Sequence, residues 1–173
     1  MTRLLRGYVR AVDRCNYWIG RVVMYGIFVM MGILLWSSIS KTFFLPSLWT
    51  LEMAQFAMVA YYILGGPYAI QMGSNVRMDL LYGEWSERRK AWTDAFTVLF
   101  LIFYLAVLLR GGWDSLMYSF QYGGERSPTA WRPYLWPIKS IMVLGIFLML
   151  LQAISELCKD ILRLRGEDMG VKT

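Results

Sequence analysis

Charged residues divide this chain into four apolar stretches joined by short polar connections. Nineteen uncharged residues separate Arg21 from Lys41, and twenty-four separate Glu52 from Arg77. Two shorter uncharged runs follow at 95–109 and 140–155, each flanked by residues that suit a membrane interface. A bilayer core about 30 Å thick is crossed by about 20 mostly apolar helical residues. Backbone polar groups in hydrocarbon must bond within the segment, which selects helices over loops or open sheets. The pattern predicts an all-α integral membrane protein with four transmembrane helices, at about 20–42, 51–73, 93–113 and 136–158.

Ahead of the first span, residues 1–19 predict an N-terminal amphipathic interfacial helix. Leu5, Tyr8, Val12, Cys15 and Ile19 recur at spacings of three and four, while Arg3, Arg6, Arg10, Arg14 and Arg21 take the other face. Such a helix sinks its apolar side into the headgroup region and offers arginines to membrane lipids. The long basic leader and long apolar run argue for an uncleaved first helix rather than a secretory signal. Pro46 ends span one. Thr50 is the expected N-cap of span two, with Glu52 stabilising its first turn or meeting a partner subunit.

Span two carries Gly65-Gly66-Pro67, where a kink is expected. Gly65, Ala69 and Gly73 form a row of small residues, which admits a second helix either within the bundle or from another subunit. The outer loop 114–136 reads as irregular, with turn signals at Gly123-Gly124 and Pro128 and interfacial aromatics at Trp131, Tyr134 and Trp136. An interfacial belt or a docking surface for an external protein would each explain it. Lys139 is placed to snorkel out of span four, and Gln152 is the polar side chain well inside it. Residues 159–173 read as a polar tail.

Charge sets the orientation. Of 18 Lys and Arg, thirteen fall before the first span, between spans two and three, or after the last, and five fall on the other side. That bias places both termini in the cytoplasm and requires an even number of spans. It also accounts for the net charge of +6 without invoking nucleic acid. At 173 residues, four spans leave one membrane domain, 1–173, and no room for a soluble one. The chain has no His, so bis-His haem and His-ligated metal are excluded, and Cys15 and Cys158 form no CxxC pair.

No span places an ionisable residue near mid-bilayer, where an ion or proton path would need one. Phosphate-binding glycine loops, nucleophile sets and carboxylate clusters with metal spacing are absent from the sequence. Neither catalysis nor a cofactor is expected. What remains is a subunit that acts through a partner. The alternatives are a cofactor-free membrane anchor of an enzyme complex and a small oligomeric exporter, for which Glu52 would be the working acid.

Several segments in order carry a resemblance. Glu52, Gly65, then Gly73-Ser74-Asn75-Val76-Arg77-Met78-Asp79-Leu80-Leu81 and the basic Arg88-Arg89 resemble the small permease subunit of TRAP transporters, the DctQ family. Trp136-Pro137-Ile138-Lys139 and Leu150-Leu151-Gln152 resemble the family's last span, and Met78 departs from the usual aliphatic residue. The resemblance implies a multi-pass protein of a bacterial or archaeal inner membrane, partnered by a large (DctM-like) membrane subunit and a periplasmic substrate-binding protein. It implies that the large subunit carries organic anions such as carboxylates with Na⁺, while the small one braces it. Glu52, Gly65, Gly66, Pro67, Gly73, Asn75, Arg77, Asp79, Lys139 and Gln152 are the interface or structural candidates. Arg77→Ala or Asp79→Ala is expected to weaken assembly or the local loop rather than substrate selectivity.

Overall fold

The structure is a computed structural model that describes residues 2–45, 47–73, 87–122 and 124–164. Its elements are all helices: α1 (Thr2–Met24), α2 (Gly26–Phe43), α3 (Thr50–Gln71), α4 (Glu87–Gln121) and α5 (Trp136–Leu164). An isolated bridge between Arg126 and Tyr134 is the one extended pairing among the described residues. The loop positions Asn75, Arg77 and Asp79, and the tail from 165 onward, lie outside the described residues.

Helix α1 runs past the expected boundary at residue 19 and almost into α2, with Tyr25 as the break. There the backbone tightens: Tyr25 N–H bonds Val22 O and Phe28 N–H bonds Tyr25 O, each at 3.1 Å. These three-residue spacings are those of a 3₁₀ turn. Among the described residues, three helical stretches are long and apolar enough to cross a membrane: Leu5–Phe43, Phe96–Gln121 and Trp136–Leu162. Helix α3 is not among them. Glu52, Gln55, Gln71, Pro67 and its tyrosines dilute the apolar character that the long uncharged run suggested.

Helix α5 is central and packs against α1, α3 and α4, while α2 packs mainly on α3. Leu105 of α4 and Ile146 and Ala153 of α5 form the buried core, with Leu101, Leu109, Met149 and Leu150 packed around them. Helix α5 accordingly holds most of the buried apolar residues, whereas α2 and the first half of α4 expose large ones such as Phe28, Leu35, Trp36, Phe96, Phe100 and Phe103. Burial on one face and apolar exposure on the other is the distribution expected of helices that meet lipid or a membrane partner.

Pro67 is buried inside α3, and the helix continues through it to Gln71. A proline removes the hydrogen bond to the carbonyl four residues back, here Ile63 O. That carbonyl faces α5, where a Cβ added at Gly145 would stand 3.1 Å from Ile63 O and 2.3 Å from Ile63 Cγ2. Glycine at 145 lets the two backbones close at the point where α3 lacks its internal bond. Gly73, with φ +62°, then ends the helix: its N–H bonds Ile70 O at 3.1 Å, in the left-handed conformation that favours glycine after a helix.

Candidate functional site

Among the described residues, three groups of polar side chains tie the helices together. The first joins α1 to α5. Asn16 Nδ2 donates to Gln152 Oε1 at 2.7 Å, and Gln152 Nε2 donates to Asp13 Oδ1 and Glu156 Oε1, both at 3.0 Å. Ser155 Oγ also donates to Asp13 Oδ1, at 3.2 Å, and Lys159 Nζ lies 2.8 Å from Asp13 and 2.7 Å from Glu156. Tyr8 adds a bond to Leu151 O at 3.2 Å. Gln152, Asn16 and Ser155 are buried. Low local dielectric strengthens such a network and penalises any member left unpaired.

The second group ties α4, α5 and the outer loop. Lys139 Nζ donates to Ser119 Oγ at 2.8 Å and pairs with Glu125, and Ser119 Oγ donates to Glu125 at 3.0 Å. The hydrogen bond from Lys139, followed by that from Ser119, holds the Glu125 carboxyl below its ordinary value. The loop is not irregular at this point. Ser127 N–H bonds Pro133 O and Leu135 N–H bonds Glu125 O, each at 3.0 Å, and the Arg126 guanidinium lies 4.5 Å from the centre of the Tyr134 ring. Residues 124–135 thus close into a small hairpin clasped by a cation–π contact.

The third group sits where α2 meets α3. Thr50 Oγ1 donates to Ser37 Oγ at 3.1 Å, and Ser40, Ser47 and Thr50 continue the chain of hydroxyl contacts at 3.1 to 3.2 Å. The expectation that Thr50 caps α3 is corrected. Trp49 precedes the helix without a side-chain cap bond, and the Thr50 hydroxyl lies 3.1 Å from both Ser37 Oγ of α2 and the Ser47 carbonyl. Glu52 lies in the first helical turn, 6 % exposed, and its Oε2 has no hydrogen-bond partner.

The remaining expected positions separate cleanly. Gly66 packs against Met149, where a Cβ would stand 2.7 Å from the sulfur, whereas a Cβ at Gly65 or Gly73 would meet nothing within 4 Å. At Gly65 the small-residue row therefore meets no side chain of the described residues at contact distance. Lys139 and Gln152 are anchors of the second and first groups rather than free groups. Asp13, Asn16, Ser155, Glu156 and Lys159 carry no motif. Their signal is spacing alone, since 13 and 16, and 152, 155, 156 and 159, each share a helical face.

These features define a helical membrane protein that uses its polar interior to fix its own helices and leaves broad apolar faces open. Residues 16–163 match the family model described as "Tripartite ATP-independent periplasmic transporters, DctQ component". The chain belongs to the DctQ family, the small permease subunits of TRAP transporters. No curated protein and no solved structure matches it.

Proposed function

We propose that this subunit braces the large membrane subunit of its transporter, which takes up organic anions such as carboxylates, coupled to Na⁺ and supplied by a periplasmic binding protein. The observation that carries the reading is the double fastening of α5. The Gln152 network holds one half of this helix to α1, and the Lys139–Glu125–Ser119 cluster holds the other end to α4 and the hairpin. A helix fixed at both ends resists displacement when a neighbouring subunit moves. The small-residue face at Gly65 and the exposed faces of α2 and α4 supply surfaces for that neighbour.

In this reading α3 is the fourth span, with Thr50 and Glu52 buried at its start, and α1 is the interfacial helix. Both termini then lie in the cytoplasm and the 124–135 hairpin faces the periplasm across the inner membrane, as the distribution of Lys and Arg favours. Affinity purification of the tagged chain from native membranes in mild detergent tests the proposal. A large multi-spanning subunit recovered in near-equal amount supports it. A chain that elutes alone as a homo-oligomer, or with an enzyme, overturns it.

A further inference from the structure

Helix α1 presents three adjoining rows, each repeating at spacings of four, three and four. Val9, Asp13, Asn16 and Gly20 form the row turned into the bundle: Val9, Asn16 and Gly20 are buried, and Asp13 is bonded to Gln152, Ser155 and Lys159 of α5. One position on, Arg10, Arg14, Tyr17 and Arg21 are exposed, and Arg21 donates to the Tyr17 hydroxyl at 3.0 Å. The next row, Ala11, Cys15, Trp18 and Val22, is exposed as well, with Trp18 70 % accessible. Arg10 and Arg14 take part in no hydrogen bond or ion pair among the described residues. Asp13 is the one acidic residue of α1 and is held inside the bundle, so no carboxylate of this helix offsets the basic row. The apolar positions taken from sequence spacing supply little of the open side. Leu5, Tyr8, Val12 and Ile19 are half-buried, and of those five Cys15 alone is exposed.

Depth decides what meets the two open rows. Tyr8 and Asn16 stand about 12 Å apart along α1. Yet the Tyr8 hydroxyl donates to Leu151 O at 3.2 Å and Asn16 Nδ2 to Gln152 Oε1 at 2.7 Å, at neighbouring residues of α5. Helix α1 therefore crosses α5 instead of running down it. The crossing covers Gln152 to Lys159, about 24–35 Å along α5 from Trp136. A hydrocarbon core of about 30 Å ends at that level. Resting on the reading of α1 as the interfacial helix, we infer that its open side binds anionic phospholipid of the cytoplasmic leaflet. Arg10, Arg14 and Arg21 hold the phosphate, and an acyl chain lies along Ala11, Cys15, Trp18 and Val22. A zwitterionic headgroup brings its own ammonium to the phosphate, whereas an anionic one leaves its charge for the guanidiniums, which bind phosphate through paired hydrogen bonds. A basic row beside an apolar row suits the boundary between headgroup and chain. A soluble acidic partner would match the arginines and leave Trp18 and Val22 uncovered.

The test uses the full chain with Cys158→Ser and a fluorophore on Cys15, in phosphatidylcholine vesicles that hold a minor share of phosphatidylglycerol. Either lipid is supplied with brominated chains, which quench on contact. Brominated phosphatidylglycerol is expected to quench well beyond its share, and Arg10→Gln combined with Arg14→Gln to lower that preference about fivefold. Arg10→Lys, which keeps the charge, is expected to retain it. High salt is expected to erase the preference with all arginines in place, a measurement that stands even where an arginine variant fails to fold. Quenching in proportion to the lipid mixture, or a preference indifferent to salt, overturns the inference while leaving α1 at the interface. Quenching by neither lipid strikes the interfacial reading as well. Loss of quenching once the large subunit is reconstituted alongside assigns these rows to a protein partner, which also overturns the inference.

Discussion

Gln152 uses both ends of its amide, accepting from Asn16 and donating to Asp13 and Glu156, and has no exposed surface. Gln152→Leu keeps the bulk but strands the Asn16 amide and removes a donor from Asp13. Leaving a buried polar group unpaired costs about 1–3 kcal/mol. The variant is expected to unfold correspondingly earlier in mixed-micelle denaturation, and parent-like stability would show that the network holds nothing. At the opposite end of α5, Glu125 gives a pH signature. Its carboxyl is held below the ordinary 4.5 by hydrogen bonds from Lys139 and Ser119. A depressed carboxyl contributes stability above its unfolded value, and that contribution is lost as pH falls through the lower folded value. Acidification below about 4.5 should loosen the 124–135 hairpin. Trp131 fluorescence or limited proteolysis would register this, and Glu125→Gln should show the loosened state already at neutral pH.

Helices α3 and α5 meet through glycine, and the two glycines of the Gly65-Gly66 pair play unlike parts. Gly145→Ala would push a methyl into the Ile63 side chain and carbonyl. Overpacking of this kind costs about 1–3 kcal/mol. Gly65→Ala meets no atom of the described residues within 4 Å and should leave the isolated subunit within about 0.5 kcal/mol of the parent. If Gly65→Ala nevertheless lowers recovery of the large subunit, the small-residue face belongs to the interface. Thermal unfolding beside co-purification separates the effects. The helices themselves were legible because long uncharged runs have few other outcomes in a membrane. Their pairing was not, since sequence spacing cannot tell which glycine of a Gly-Gly pair faces a neighbour. The Thr50 cap failed for a related reason: its hydroxyl turns to Ser37 of α2 and to the preceding Ser47 carbonyl rather than to an N–H of its own helix.

For the whole subunit, the proposed topology rests on charge placement. With Cys15 and Cys158 replaced by serine, a cysteine at Ser127 is expected to react with a membrane-impermeant maleimide in intact spheroplasts. A cysteine at Thr173 should react only after permeabilisation, and the reverse pattern would invert the subunit. The family was readable from the order of weak motifs between Glu52 and Gln152. The fastening of α1 to α5 was not, because Asp13 and Asn16 lie nearly 140 residues from the groups they bind.

The break at Tyr25 has a consequence in simple length. The helical stretch Leu5–Phe43 contains 39 residues, which laid end to end would measure about 58 Å. Hydrocarbon accepts about 30 Å of it. Roughly half of that rod must therefore turn aside or stand clear of the membrane core, and a tight turn at Tyr25 is the place where the chain can change heading. Since α1 is bonded to Gln152, Ser155 and Lys159, whatever leaves the core stays gathered against the far end of α5, like a collar around a post.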